Sequence, residues 1–193
     1  MKIKQGIVLI GIVGILIAGA VVIFKFPLQK QESIVNVAVP QDWKLLENDV
    51  YGNFKYPADF ISKVTPTPEF VSPFEDKVKI GFVLMQKSAF DSGKDYPHIS
   101  VVVYDKDETA LQQLAQEDMK NQVKQASSVN PKQATVRISK IDSSAYKAGI
   151  ITGEMGAYYI QHNDVVYRIF WIGNQDYGRI ANIIRASLIF IPR

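Results

Sequence analysis

The octapeptide VVYRIFWI, residues 165–172, constrains the fold more than any other stretch of this chain. Side chains alternate across a strand, so one face would carry Val165, Tyr167, Ile169 and Trp171, and the other Val166, Arg168, Phe170 and Ile172. Only Arg168 objects to burial. A strand that is apolar on both faces is a central strand covered from both sides, so the chain must supply two covering layers as well as a sheet.

Both are legible. Strand signals, rich in β-branched and aromatic residues, run through residues 78–85 (VKIGFVLM), 98–105 (HISVVVYD), 134–141 (ATVRISKI), 146–153 (YKAGIITG), 157–163 (AYYIQHN) and 165–173. Asn163-Asp164 between the last two is a hairpin signal, and the spacing from about Thr135 onward predicts an antiparallel meander. Two segments have helical period instead. In residues 108–126 the apolar stripe is Leu111, Leu114, Ala115, Met119, Val123 and Ala126, with charged and amide residues opposite, and Asp105 with Glu108 is read as its capping pair. In residues 176–188 the stripe is Ile180, Ile183, Ile184 and Leu188, with Arg179 and Arg185 outward. One helix on each face gives an α+β helix/sheet/helix sandwich built on an antiparallel sheet.

The N-terminal part differs in kind. Residues 6–24 hold 19 residues without a polar side chain, between Lys2 and Lys4 on one side and Lys25 on the other. That length matches the roughly 20 residues a helix needs to cross the hydrocarbon core. The chain is therefore read as a head (1–5), one transmembrane anchor (6–24), a polar tether with Pro27 and Pro40 (25–40), and an extracytoplasmic domain (41–193). A signal peptide cleaved after Ala20 is the alternative, and it would leave the domain secreted. The expected localisation is a cell membrane, crossed once.

Charge excludes one class of partner. Four of the 22 basic residues precede position 31 and all 19 acidic ones follow it, so residues 31–193 carry 18 basic against 19 acidic side chains. A near-neutral domain has no face-wide basic stripe, and no nucleic acid is expected. Cysteine is absent, which removes disulfides, thiolate nucleophiles and cysteine metal ligands.

Trp43 followed by the aromatic cluster DVYGNFKYPADF, residues 49–60, opens the domain. In this order of anchor, tether, aromatic hairpin, two helices and late meander, the chain resembles the PsbP-like domains of the Mog1/PsbP fold, whose bacterial members open on a Trp and a Tyr-Gly-Phe-x-(Phe/Ile)-x-Tyr-Pro segment. Trp43, Tyr51, Gly52, Phe54, Tyr56 and Pro57 fit that pattern, with one residue fewer between the glycine and the final aromatic pair. The resemblance implies a helix/sheet/helix sandwich. It also names an extrinsic lumenal photosystem subunit and a binder of a small GTPase as relatives, but neither role carries over, because none of their functional residues can be matched here. Gly52-Asn53 is expected to turn the opening hairpin, dividing Tyr51, Phe54, Tyr56 and Phe60 between the two sheet faces.

Chemistry is sparse. His98 and His162 border strands, with Asp95 and Asp164 as weak local companions, and read as surface histidines rather than metal ligands. Residues 105–108 (DKDE) lack the glycine and glutamate of a calcium loop. Residues 149–156 (GIITGEMG) read as turn and bulge glycines, and no nucleophile elbow or phosphate loop occurs. No cofactor, metal or catalytic residue is therefore expected. Residues 62–77 and 86–97 read as long loops whose Phe70, Phe74, Phe90 and Tyr96 either form a contact patch for a partner or plug the core. The leading expectation is a non-enzymatic, membrane-tethered binding or assembly module for another envelope or membrane protein. A small-ligand or metal-binding accessory protein is the alternative, and a hydrolase with a spatially assembled site comes third.

Overall fold

Two antiparallel meanders meet along their last strands. In a computed structural model, which describes residues 37–65, 77–93, 97–106, 108–125 and 134–191, the first meander is β3 (Phe60–Thr65), β4 (Val78–Gln86) and β5 (His98–Asp105). The second is β6 (Val136–Lys140), β7 (Ala145–Ile150), β8 (Met155–His162) and β9 (Val165–Ile172). β5 pairs with β9, from His98 against Ile172 to Asp105 against Val165, to give a seven-stranded sheet in the order β3-β4-β5-β9-β8-β7-β6. The β8–β9 hairpin turns on Asn163, whose φ of 54° is in the left-handed region that asparagine tolerates.

The twofold apolar strand sits where its sequence requires. Val165, Tyr167, Ile169 and Trp171 belong to one core, which α3 (Gln175–Ala186) covers through Tyr177, Ala181 and Ile184. Val166 and Phe170 belong to the other, which α2 (Leu111–Gln125) covers through Leu114, Ala115, Met119 and Val123. The sandwich has a helix on each face, as expected. α3 is capped by Asn174, whose Oδ1 accepts from the Asp176 N–H at 3.0 Å, and Asp176 and Arg185 complement the two ends of its dipole.

Several expectations need correction. α2 begins at Leu111, and Asp105 does not cap it; Asp105 ends β5 and pairs with Lys79 at 2.7 Å. The loop assigned to residues 62–77 gives up residues 62–65 to β3, an edge strand whose Lys63 faces solvent, and residues 66–76 lie outside the described part. The second loop contains α1 (Lys87–Asp91), closed by an i,i+4 ion pair of 2.6 Å. β7 stops at Ile150 because residues 151–154 turn, with Gly153 at φ 78°.

The opening hairpin also differs from its expected form. β1 (Lys44–Leu46) and β2 (Phe54–Tyr56) make a separate two-stranded sheet joined by a seven-residue loop, residues 47–53, which Asn48 organises by accepting from the N–H groups of Val50 and Tyr51. Gly52 is not a turn centre but a contact: a Cβ there would lie 2.5 Å from the Ile189 carbonyl oxygen, because Asn53 and Ile189 form an antiparallel bridge. Phe54 and Phe60 enter the α3-side core, and Tyr51 and Tyr56 pack against the same core, so the four aromatics are not divided between faces. The hairpin lies outside the main sheet and has only that core to bury against.

The predicted anchor at residues 6–24 and most of the tether lie outside the described residues, among which no helix is long and apolar enough to cross a membrane.

Candidate functional site

The two faces treat charge in opposite ways. On the α2 face, Arg168 is 1% exposed and Asp118, from α2, is fully buried; Arg168 Nε and Asp118 Oδ2 are 2.6 Å apart. Tyr159, opposite Arg168 on β8, donates its hydroxyl to the same carboxylate oxygen at 2.5 Å, and Gln122 Nε2 donates to the other at 3.3 Å. The guanidinium also lies 4.7 Å from the Phe170 ring centroid. Burial raises the Tyr159 hydroxyl pKa well above its ordinary value, and the Asp118 charge raises it further. For Arg168, burial is the largest single influence and opposes the charge, but Asp118, Tyr159 and Tyr104 together outweigh it and hold the guanidinium above its ordinary pKa. Both Tyr159 and Arg168 therefore keep their protons near neutral pH. The cluster is sealed and fastens α2 to the sheet.

The α3 face is open at one end. Only Gly173 and Asn174 separate β9 from α3, three Cα–Cα steps that reach about 11 Å at most, whereas β6 is three strand spacings away at roughly 14 Å. α3 therefore lies over β9 and β8 and leaves β6 and β7 uncovered on this side. The result is a groove of about 380 Å³ between the helix and the outer strands. Arg137 and Ser139 line it from β6 and Lys147 and Gly149 from β7; Arg179 and Asn182 face them from α3. Tyr158 and Trp171 form the floor.

That floor depends on two glycines. Gly156 pairs with Trp171 across β8 and β9, and a Cβ at Gly156 would fall 2.4 Å from the indole. On the other side a Cβ at Gly178 of α3 would fall 3.2 Å from Trp171 Nε1. The indole lies between the two, 3% exposed, and its Nε1 donates to the Gly153 carbonyl at 3.3 Å. The glycine-rich stretch 149–156 is thus not only a turn; it makes room for an aromatic. Tyr158, 5.5 Å from Trp171, holds two cations at its ring: Lys147 Nζ at 5.8 Å and Arg185 Cζ at 5.4 Å from the centroid. Arg185 is turned in over Tyr158 rather than outward, its Nε donating to Asn182 Oδ1 at 3.1 Å.

None of the groove's lining residues among those described is a carboxylate or a histidine. His98 is buried on the α2 face at the Ile172 end of β9, and His162 stacks on Phe190 at 4.2 Å on the α3 face, level with Val165. Seven residues of β9 separate those levels, roughly 23 Å, so the histidines cannot share a metal ion. Among the described residues no group of three or more histidines and carboxylates is placed to hold one. His98 is a core residue rather than the surface histidine expected. Of the four candidate contact residues, Phe90 lies on α1 and is 49% exposed, while Phe70, Phe74 and Tyr96 lie outside the described residues. The residues that meet at the groove are different ones, and the sequence signal for them was the polar alternation Arg137, Ser139 and Lys147 on one face of two otherwise apolar strands.

No protein-family model and no curated protein matches the sequence. Among solved structures, the fold is similar to that of cyanobacterial PsbP (CyanoP) from Synechocystis sp. PCC 6803, determined in solution. The identity is 12% and the TM-score 0.49, over 82% of this chain and 98% of that one. The likeness is one of fold.

Proposed function

We propose that this chain is a non-enzymatic binding module, held at a membrane by residues 6–24 and presenting its sandwich domain outside the cytoplasm. The observation that carries the reading is the groove on the α3 face: a concave site with cations and amides along its walls and aromatics beneath, and no carboxylate, histidine or thiol among its described lining residues. Recognition needs such a lining, whereas hydrolysis needs a base beside a nucleophile, and neither histidine reaches the groove. The expected partner is an envelope or membrane component.

Proximity labelling from the full-length chain tests this reading. Reproducible membrane or envelope neighbours, reduced when Lys147 and Arg179 are replaced by glutamine, are the expected result; labelling no different from that of an unrelated anchored domain would overturn it. A C-terminal reporter active only on the extracytoplasmic side is expected, and activity confined to the cytoplasm would reverse the placement.

A further inference from the structure

The cations of the groove are not spread evenly. The mouth beside the β7–β8 turn has acidic neighbours: Glu154 in the turn and Asp176 in the first turn of α3, where Asp176 pairs with Arg179 at 3.3 Å. The other end is lined by Lys147 from β7, Ser139 and Asn182, and Arg185 of α3, just outside the lining itself, is hydrogen-bonded to Asn182 and reaches the same Tyr158 ring, so that both cations lie within 6 Å of its centroid. Arg137 stands one ladder step along β6 from that end. Two like charges brought to one ring repel each other, and a dianion between them would turn that repulsion into attraction. A phosphate monoester carries about two negative charges near neutral pH and offers three acceptor oxygens, which suits an ammonium, a guanidinium fork, a hydroxyl and an amide together. A singly charged carboxylate would leave half of that donor set unmatched.

We propose that the groove seats a phosphate-bearing anion between Lys147 and Arg185, over the Tyr158 ring. The phosphate is held by charge and hydrogen bonds at that end, and whatever it is attached to extends along the groove toward Trp171 and the acidic mouth. A free phosphate compound and the monoester headgroup of phosphatidic acid share this chemistry. The proposal rests on the reading of the groove as a binding site, and it fixes the ligand class of that site.

Isothermal titration of the full-length protein in neutral detergent, at low salt, separates the possibilities. The probes are inorganic pyrophosphate, short-chain phosphatidic acid below its micelle concentration, and short-chain phosphatidylcholine as the zwitterionic diester control. Saturable binding of pyrophosphate supports a soluble phosphate ligand; binding of phosphatidic acid but not phosphatidylcholine supports a headgroup. In either case Lys147→Gln with Arg185→Gln should weaken binding at least ~10-fold and flatten its salt dependence, since two charge-assisted contacts are lost. Lys147→Arg should retain it. Absence of binding at millimolar pyrophosphate and phosphatidic acid overturns the proposal, as does unchanged affinity in the double variant with native circular dichroism. Should the double variant not fold, each single variant carries the same test. Failure here alongside positive proximity labelling would remove the phosphate and leave the binding module standing.

Discussion

The two faces of one sheet handle charge in opposite ways. Beneath α2, Asp118, Arg168 and Tyr159 are dry and bonded to one another, so the cluster contributes shape and register but is closed to any ligand. Beneath α3 the cations Arg137, Lys147, Arg179 and Arg185 stand at the edge of a groove that water reaches. The difference comes from connection length. α2 packs over β6, β7 and β8, while a two-residue link keeps α3 over β9 and β8. Where a helix covers the strands, a charge must find its partner inside the protein; where none does, the partner can come from outside.

If that contrast is right, mutations on the two faces should separate cleanly in denaturant unfolding. The largest effect belongs to Asp118→Ala, which leaves the Arg168 charge buried and unpaired and should cost about 3–5 kcal/mol. Replacing both partners with apolar residues, Asp118→Leu with Arg168→Met, should recover most of that loss; if the double variant is as unstable as the single one, the cluster is not an isolated pair. Next comes Tyr159→Phe, expected to cost roughly 1.5–3 kcal/mol for a hydrogen bond to a buried charge. The same variant sharpens the contrast through pH. Because the folded-state Tyr159 pKa is raised, its contribution is complete below the ordinary tyrosine value of 10.0 and is lost above it, where the unfolded chain releases a proton that the native protein keeps. Stability should fall above that pH by up to about 1.4 kcal/mol per unit from this group, and Tyr159→Phe should remove that share of the slope.

On the open face, Gly156→Ala should cost about 1–3 kcal/mol, since the new methyl meets the indole of Trp171; a blue-to-red shift of tryptophan emission would accompany it. Smallest of all, Arg137→Gln and Arg179→Gln should move stability by no more than about 0.5 kcal/mol. A loss comparable to that of Asp118→Ala would mean the groove is part of the fold's support rather than a site.

Much of this was open to reading in the sequence. Residues 165–172 announced a strand covered on both faces, and the helical stripes supplied the covers. The buried pair was half legible: Arg168 stood out as the one charge on a covered strand, but Asp118 was counted with the polar face of its helix. Its position says otherwise, for Leu111, Leu114, Ala115, Asp118, Met119, Gln122 and Val123 fall on one continuous stripe, and a lone acid on such a stripe is the natural complement of a lone base on the sheet. The groove was harder to see. Polar alternation in β6 and β7 shows that one of their faces is uncovered, but where α3 stops depends on tertiary geometry that periodicity does not encode. The phenylalanines of the loops are more conspicuous, but hydrophobicity on a loop is a weaker sign of a site than charge on a strand face that nothing covers.

The bridge between Asn53 and Ile189 bears on how the domain is made. Lys55 donates its backbone N–H to Ser187 Oγ across 132 residues of chain, and Gly52 is pressed against the Ile189 backbone. During synthesis the β1–β2 hairpin is among the first parts of the domain to emerge, yet its bridge partner is among the last. Until α3 and residues 187–190 have been polymerised, Phe54 lacks part of the core that buries it and the hairpin lacks its bridge, and two strands alone are marginal in water. The domain is therefore latched from its far end: a stalled or shortened product would expose its aromatic hairpin, which makes that hairpin a natural mark by which quality control could tell an unfinished chain from a finished one.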